Sequence, residues 1–116
     1  MLLRFPTAEI TVDVARTRDQ HTRGLAGCAH LPEHRGMLFE MGITSVWPFT
    51  MRGVSFPLDM IFVDGSGVVV GIVESAPPGG IGPYGIHTPS RWVLEANGGW
   101  ARRHGVKIGD RMSAIA

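Results

Sequence analysis

From Trp47 to Val70 the chain reads WPFTMRGVSFPLDMIFVDGSGVVV, and its pattern sets the frame for the rest. Leu58, Met60 and Phe62 alternate with Asp59, Ile61 and Val63, a period of two that predicts a strand. Both faces are apolar except at Asp59, so this strand is expected to be central and covered on both sides, with Leu58 and Phe62 in the core. Pro57 stands where a strand can begin without losing a ladder donor. Asp64-Gly65-Ser66-Gly67 has the residue types of a hairpin turn. Val68 to Val73 then returns as a β-branched strand, with Gly71 as a candidate bulge.

The same reading extends along the chain. Glu9 to Val14 alternates polar and apolar residues, the pattern of a half-buried strand. Thr17-Arg18-Asp19-Gln20 fits a capping box, predicting a helix of about two turns that stops at Gly24 and turns Leu25 inward. Met37 to Met41 reads as a short strand. Ser75 to Pro89, with four Pro and four Gly, is the longest irregular segment. Ser90 to Ala96 resumes as a strand, placing Trp92 and Leu94 on one face and Arg91, Val93 and Glu95 on the other. Asn97 or Gly98 is expected to cap a short helix ending by Gly105, and Arg111 to Ile115 to close the chain as a strand.

Composition agrees with this pattern. At 116 residues the chain is expected to form one domain over residues 1–116, and 16 Gly with 8 Pro favour many turns over long helices. The expected fold is mainly β, a sandwich or barrel of roughly seven to nine short strands with two short helices. A net charge of +1 with scattered basic residues argues against nucleic acid as a partner. The single cysteine, Cys28, excludes an internal disulfide and an all-Cys zinc site. No apolar run reaches transmembrane length. Met1 to Pro6 is too short for a signal peptide. The chain as written is therefore expected in the cytoplasm, or outside it if an export signal has been removed.

Five segments in order carry a family resemblance: Arg23-Gly24-Leu25-Ala26-Gly27, Gly36-Met37-Leu38-Phe39, Pro57 to Asp64, Val93-Leu94-Glu95 and Gly109-Asp110. Over roughly Val12 to Met112 the chain resembles the domain of unknown function 192 family, small bacterial and archaeal proteins. The resemblance implies a compact β sandwich or barrel, often behind an export signal in relatives, and no established activity. Where relatives usually read Trp-Met-Lys-Asn-Thr, this chain has Thr50-Met51-Arg52-Gly53-Val54, which removes an amide and a hydroxyl. Cys28 replaces a residue that is commonly basic.

Several chemistries are weak on inspection. His30 and His34 have i,i+4 spacing, but Pro32 interrupts them and no third ligand is evident, so no metal is expected. Cys28 beside His30 lacks an orienting third group. Gly80 to Gly85 fits G-x-G-x-x-G by letter, yet Pro83 and Tyr84 crowd it and no βαβ unit surrounds it, so no cofactor is expected. Ser66 is turn chemistry.

Asp59 and Glu95 are the better candidates. Each sits among apolar neighbours and needs donors, with Arg23, Arg52 and Arg91 the available guanidiniums. The expectation is a polar-floored cleft beneath the Pro77–Pro89 loop. Arg23 would pair with Asp59, Glu95 would lie on a neighbouring strand, Met51 and Arg52 would stand alongside, and Trp47 and Tyr84 would form the walls. No catalytic residue is assigned. The leading expectation is a non-catalytic binding module for a small polar ligand or a partner's extended segment. One alternative is a hydrolase or lyase using the two carboxylates; the other is a structural or accessory domain without a ligand.

Overall fold

The computed structural model describes residues 1–115. The elements run β1 (Leu2–Phe5), β2 (Ala8–Ala15), α1 (Arg18–Arg23), β3 (Arg35–Ser45), β4 (Leu58–Val63), β5 (Val69–Ala76), β6 (Ser90–Asn97), α2 (Trp100–Arg103) and β7 (Ser113–Ile115). The seven strands form one sheet in the order β5-β4-β6-β3-β2-β1-β7. Every pairing is antiparallel except β2 with β3, which are parallel and joined through α1. The sheet curls until its ends meet at an isolated bridge between Val68 and Arg111. The Val69 amide donates to the Asp110 carbonyl and the Met112 amide to the Gly67 carbonyl, both at 2.8 Å. The result is mainly β and barrel-like without full closure.

All six residues of β4 are buried, as a strand apolar on both faces requires. Its Ile61 and Val63 join Leu3, Ile10, Val12, Leu38, Leu94 and Trp100 in an inner core drawn from nearly every strand and α2. Its Leu58, Met60 and Phe62 face the opposite way, packing with Phe39, Met51 and Val93 beneath α1 and the irregular segments. Phe62, Phe49 and Phe39 form an edge-to-face series there, with centroids 6.0 and 5.2 Å apart.

The capping box forms as its spacing predicts. The Gln20 amide donates to the Thr17 hydroxyl at 3.1 Å, and the Thr17 amide to the Gln20 side-chain oxygen at 3.0 Å. Three local details differ from expectation. Residues Leu2–Phe5 form a strand, β1, because β2 folds back on it as a hairpin on one side and β7, from the far end of the chain, pairs with it on the other. The bulge expected at Gly71 falls on Val70 beside it, since Phe62 faces Gly71 and Val63 faces Val69. Gly71 is small for another reason: a Cβ there would lie 2.6 Å from the Ile86 side chain. Finally, α2 is capped at Gly99, which has no side chain to do it.

Phe62 is fully buried, so Phe62→Ala is expected to cost about 3–5 kcal/mol in urea unfolding. A loss below about 1 kcal/mol would contradict its place in the core.

Candidate functional site

The two candidate carboxylates, both buried, lead to different environments. Asp59 stands opposite Ala96 in the β4–β6 ladder and Glu95 opposite Met60, so the two side chains leave the sheet on opposite faces. No substrate could touch both, which removes the expected acid–base pair. Arg23 does not meet Asp59 either. Asp59 Oδ1 accepts the amides of Ser75 and Gly99, and Oδ2 accepts that of Ala101, each at 2.9 Å. Backbone N–H groups satisfy this carboxylate where guanidiniums were expected.

Ser75 is the only non-glycine residue with positive φ among the described residues, at 48°. It lies in the bulge opposite Asp59, between the Leu58–Ala76 and Met60–Val73 pairs. Asp59 also caps α2 from a neighbouring strand. It is a structural hub.

Glu95 is the reverse case. It is 3% exposed, and its ladder neighbours on the same face are Met37 and Met60. No hydrogen bond satisfies its carboxyl among the described residues, and burial alone pushes its pKa up to about 8. It therefore stays largely protonated at neutral pH. Above it opens a cleft of about 310 Å³ between α1 and the segment from Pro48 to Val54. Phe39, Phe49, Leu25 and Val54 supply apolar walls, while Arg23, Arg52, Thr22 and Thr50 bring polar groups to the exposed rim. Arg4, Arg16, Arg35, Arg102 and Arg103 all pair with acids, but Arg23 and Arg52 form no ion pair among the described residues.

The fold holds this cleft in shape. Gly24 ends α1 with φ of 49°, and a Cβ there would press on the Phe39 ring at 3.2 Å. His21 reaches back from α1, its Nε2 lying 2.9 Å from the Ala15 carbonyl. Met51, fully buried, anchors the opposite wall, and its amide donates to the Gly80 carbonyl at 2.8 Å. The Gly27 amide ties the two walls by donating to the Gly53 carbonyl at 3.1 Å.

Of the expected site residues, the cleft thus brings together Arg23, Arg52 and Glu95, with Met51 behind them. Trp47 and Tyr84 line a separate groove with Val46 and Ile86. Trp47 Nε1 donates to the Ser90 carbonyl at 3.0 Å, and Tyr84 forms a β-bridge with Phe49. Arg91 lies over the Trp92 ring at 5.5 Å, away from both carboxylates. Phe39, Phe49 and Thr50 belong to the cleft and were not anticipated. Only the position of Phe39 in β3, the strand paired with β6, could have pointed to one of them. His30 and His34 are exposed, and no three metal-ligating side chains cluster among the described residues. No helix among the described residues is long and apolar enough to cross a membrane.

The family model DUF192, described as Uncharacterized ACR, matches residues 2–114. A solved structure from Sinorhizobium meliloti 1021, named a putative transcription regulator, is 32% identical with a TM-score of 0.92, over 97% of this chain and 91% of that one. A protein of unknown function from Novosphingobium aromaticivorans DSM 12444 is 31% identical with a TM-score of 0.92, over 97% of this chain and 84% of that one. No match is found among curated proteins.

Two outcomes follow for the carboxylates. Asp59→Asn keeps the shape but turns an NH₂ toward a backbone donor, so stability should fall by about 1–3 kcal/mol in chemical denaturation. An unchanged midpoint would contradict the hub. Glu95 behaves differently with pH, because its folded pKa of about 8 exceeds the ordinary 4.5. Between those values the folded state holds a proton that the unfolded state has lost. Its contribution is therefore complete at acid pH and disappears as pH rises through about 8. Unfolding measured from pH 5 to pH 9 should show parent stability declining, with a flatter profile for Glu95→Gln.

Proposed function

The chain belongs to the DUF192 family, and we propose that it is a non-catalytic binding module that takes a small polar ligand into the cleft over Glu95. One observation carries this reading: a carboxyl nearly removed from water, with no partner of its own, at the base of an accessible cleft. A buried polar group without a partner costs stability, and such costs concentrate at functional sites. A domain needing no ligand would be better served by Leu or Met at this position. The cleft volume falls at the lower end of small-molecule sites, favouring a compact ligand over an extended segment.

The rival readings draw less support. A hydrolase or lyase needs a second group beside Glu95, and Asp59 is on the other face with its oxygens engaged. The name of the Sinorhizobium relative raises nucleic acid. On this chain, however, five of the ten arginines pair with neighbouring acids and the net charge is only +1.

The test is a two-dimensional NMR screen of the intact chain against amino acids, hydroxy acids, sugars, sugar phosphates and nucleosides. A ligand should shift the amides of residues 22–25 and 50–54 together with Glu95. Glu95→Leu should abolish those shifts while raising stability by about 1–3 kcal/mol. A screen in which no compound moves the cleft amides overturns the proposal.

A further inference from the structure

We infer that the ligand of this cleft is a small zwitterion with an apolar body, of the α-amino acid kind, its ammonium group seated on Glu95 and its carboxylate on Arg23 and Arg52. The inference rests on the binding role proposed above and adds the chemistry of the ligand. Three features of the cleft point the same way. Glu95 is the only acid lining it among the described residues, and it is the buried one of the charged groups there. Arg23 and Arg52 are exposed and come from opposite walls, α1 and the 48–54 segment, with neither held by an acid among the described residues. Between base and rim the lining is apolar, from Leu25, Phe39, Phe49 and Val54.

An α-amino acid answers all three: an ammonium for Glu95, a carboxylate on the same carbon for the long side chains of Arg23 and Arg52, and a hydrocarbon side chain for the apolar walls. A simple anion would engage only the guanidiniums and leave Glu95 protonated, so its binding would not depend on the ionisation of that carboxyl. A simple cation would leave both guanidiniums unmatched and would meet their repulsion on entry. Charge-assisted bonds are strongest where water is scarce, so the ammonium belongs at the buried end. Two guanidiniums at the rim suit a carboxylate, which can accept from both.

Proton balance follows from the same geometry. Free, the Glu95 carboxyl is mostly protonated at neutral pH. On binding, it gives its proton to solvent and becomes the carboxylate that accepts from the ligand's ammonium. The other titratable or charged groups facing it are His21 and Arg23 from α1 and Arg52 from the facing segment; β3 and β4 present Phe39, Met37 and Met60. His21 is occupied with the Ala15 carbonyl. Affinity should therefore rise about tenfold per pH unit below the Glu95 pKa and level off above it.

The experiment is an NMR titration of the intact chain with L-leucine and with its two half-charged counterparts. Leucinamide lacks the carboxylate, and 2-hydroxy-4-methylpentanoate replaces the amine with a hydroxyl. Leucine is expected to shift the cleft amides at least tenfold more tightly than either, with the stated pH dependence. Arg52→Gln, an exposed change that spares the fold, should weaken leucine about tenfold and leave leucinamide no weaker, since it relieves the repulsion that a lone cation meets. Glu95→Gln should abolish the pH dependence. A hydroxy acid that binds as well as leucine, without pH dependence, overturns the zwitterion while leaving a polar-ligand site in place. Leucinamide binding as tightly as leucine overturns it too, since the rim arginines would be idle. Silence from all three at tens of millimolar also overturns it, and the broader screen then decides separately whether the cleft binds anything.

Discussion

Three backbone amides converging on the carboxylate of Asp59 tie the end of β5 and the start of α2 to β4. The acid sits on β4, one amide comes from the bulge at Ser75, and two come from the start of α2. Asp59 is fully buried, so its charge is tolerable only while those donors are present. In return it holds Ser75 in a backbone conformation that a residue with a Cβ rarely adopts. It also caps a helix that has only Gly99 at its own cap position. That helix carries Trp100 into the inner core beside Phe5, with ring centroids 6.0 Å apart. Loss of the acid would therefore loosen the bulge, the helix and the core end together.

Glu95 is almost a mirror of this arrangement. It lies on the adjacent strand, one rung away and on the other face. There the chain brings methionines and phenylalanines up to the carboxyl and no donor. The contrast separates a structural carboxylate from a candidate binding carboxylate without appeal to position in the sequence. Both acids are buried, but only one has its oxygens filled from within the protein.

Much of this was legible from residue order. The alternation from Leu58 to Val63 identified a strand covered on both faces, and the Thr17–Gln20 spacing identified the start of α1. The need of Asp59 and Glu95 for partners was legible as well, but the kind of partner was not. Side-chain cations can be read from a sequence, whereas a backbone amide turned by a bulge or a helix start cannot, so Arg23 was assigned to an acid it does not meet. Trp47 and Tyr84 were misplaced for a related reason: their positions depend on the path of the irregular segments, which carry no periodicity. The strand at Leu2–Phe5 is too short to declare itself without β2 and β7 beside it.

The strand order has a consequence for how the chain comes together in time. β6 lies between β4 and β3, which do not pair with each other, so the sheet has no middle until Ser90 to Asn97 arrive. A nascent chain emerging as far as β5 would expose the facing edges of β3 and β4 as two unfilled templates for foreign strands. The same strand brings Glu95 and supplies the partner against which β4 presents Asp59. The late-arriving strand thus completes the sheet and founds the cleft in one step, and folding is governed by non-local contacts that form slowly relative to local ones. During synthesis, the interval before β6 leaves the ribosome is when this protein is most exposed to misassembly and has most to gain from a chaperone.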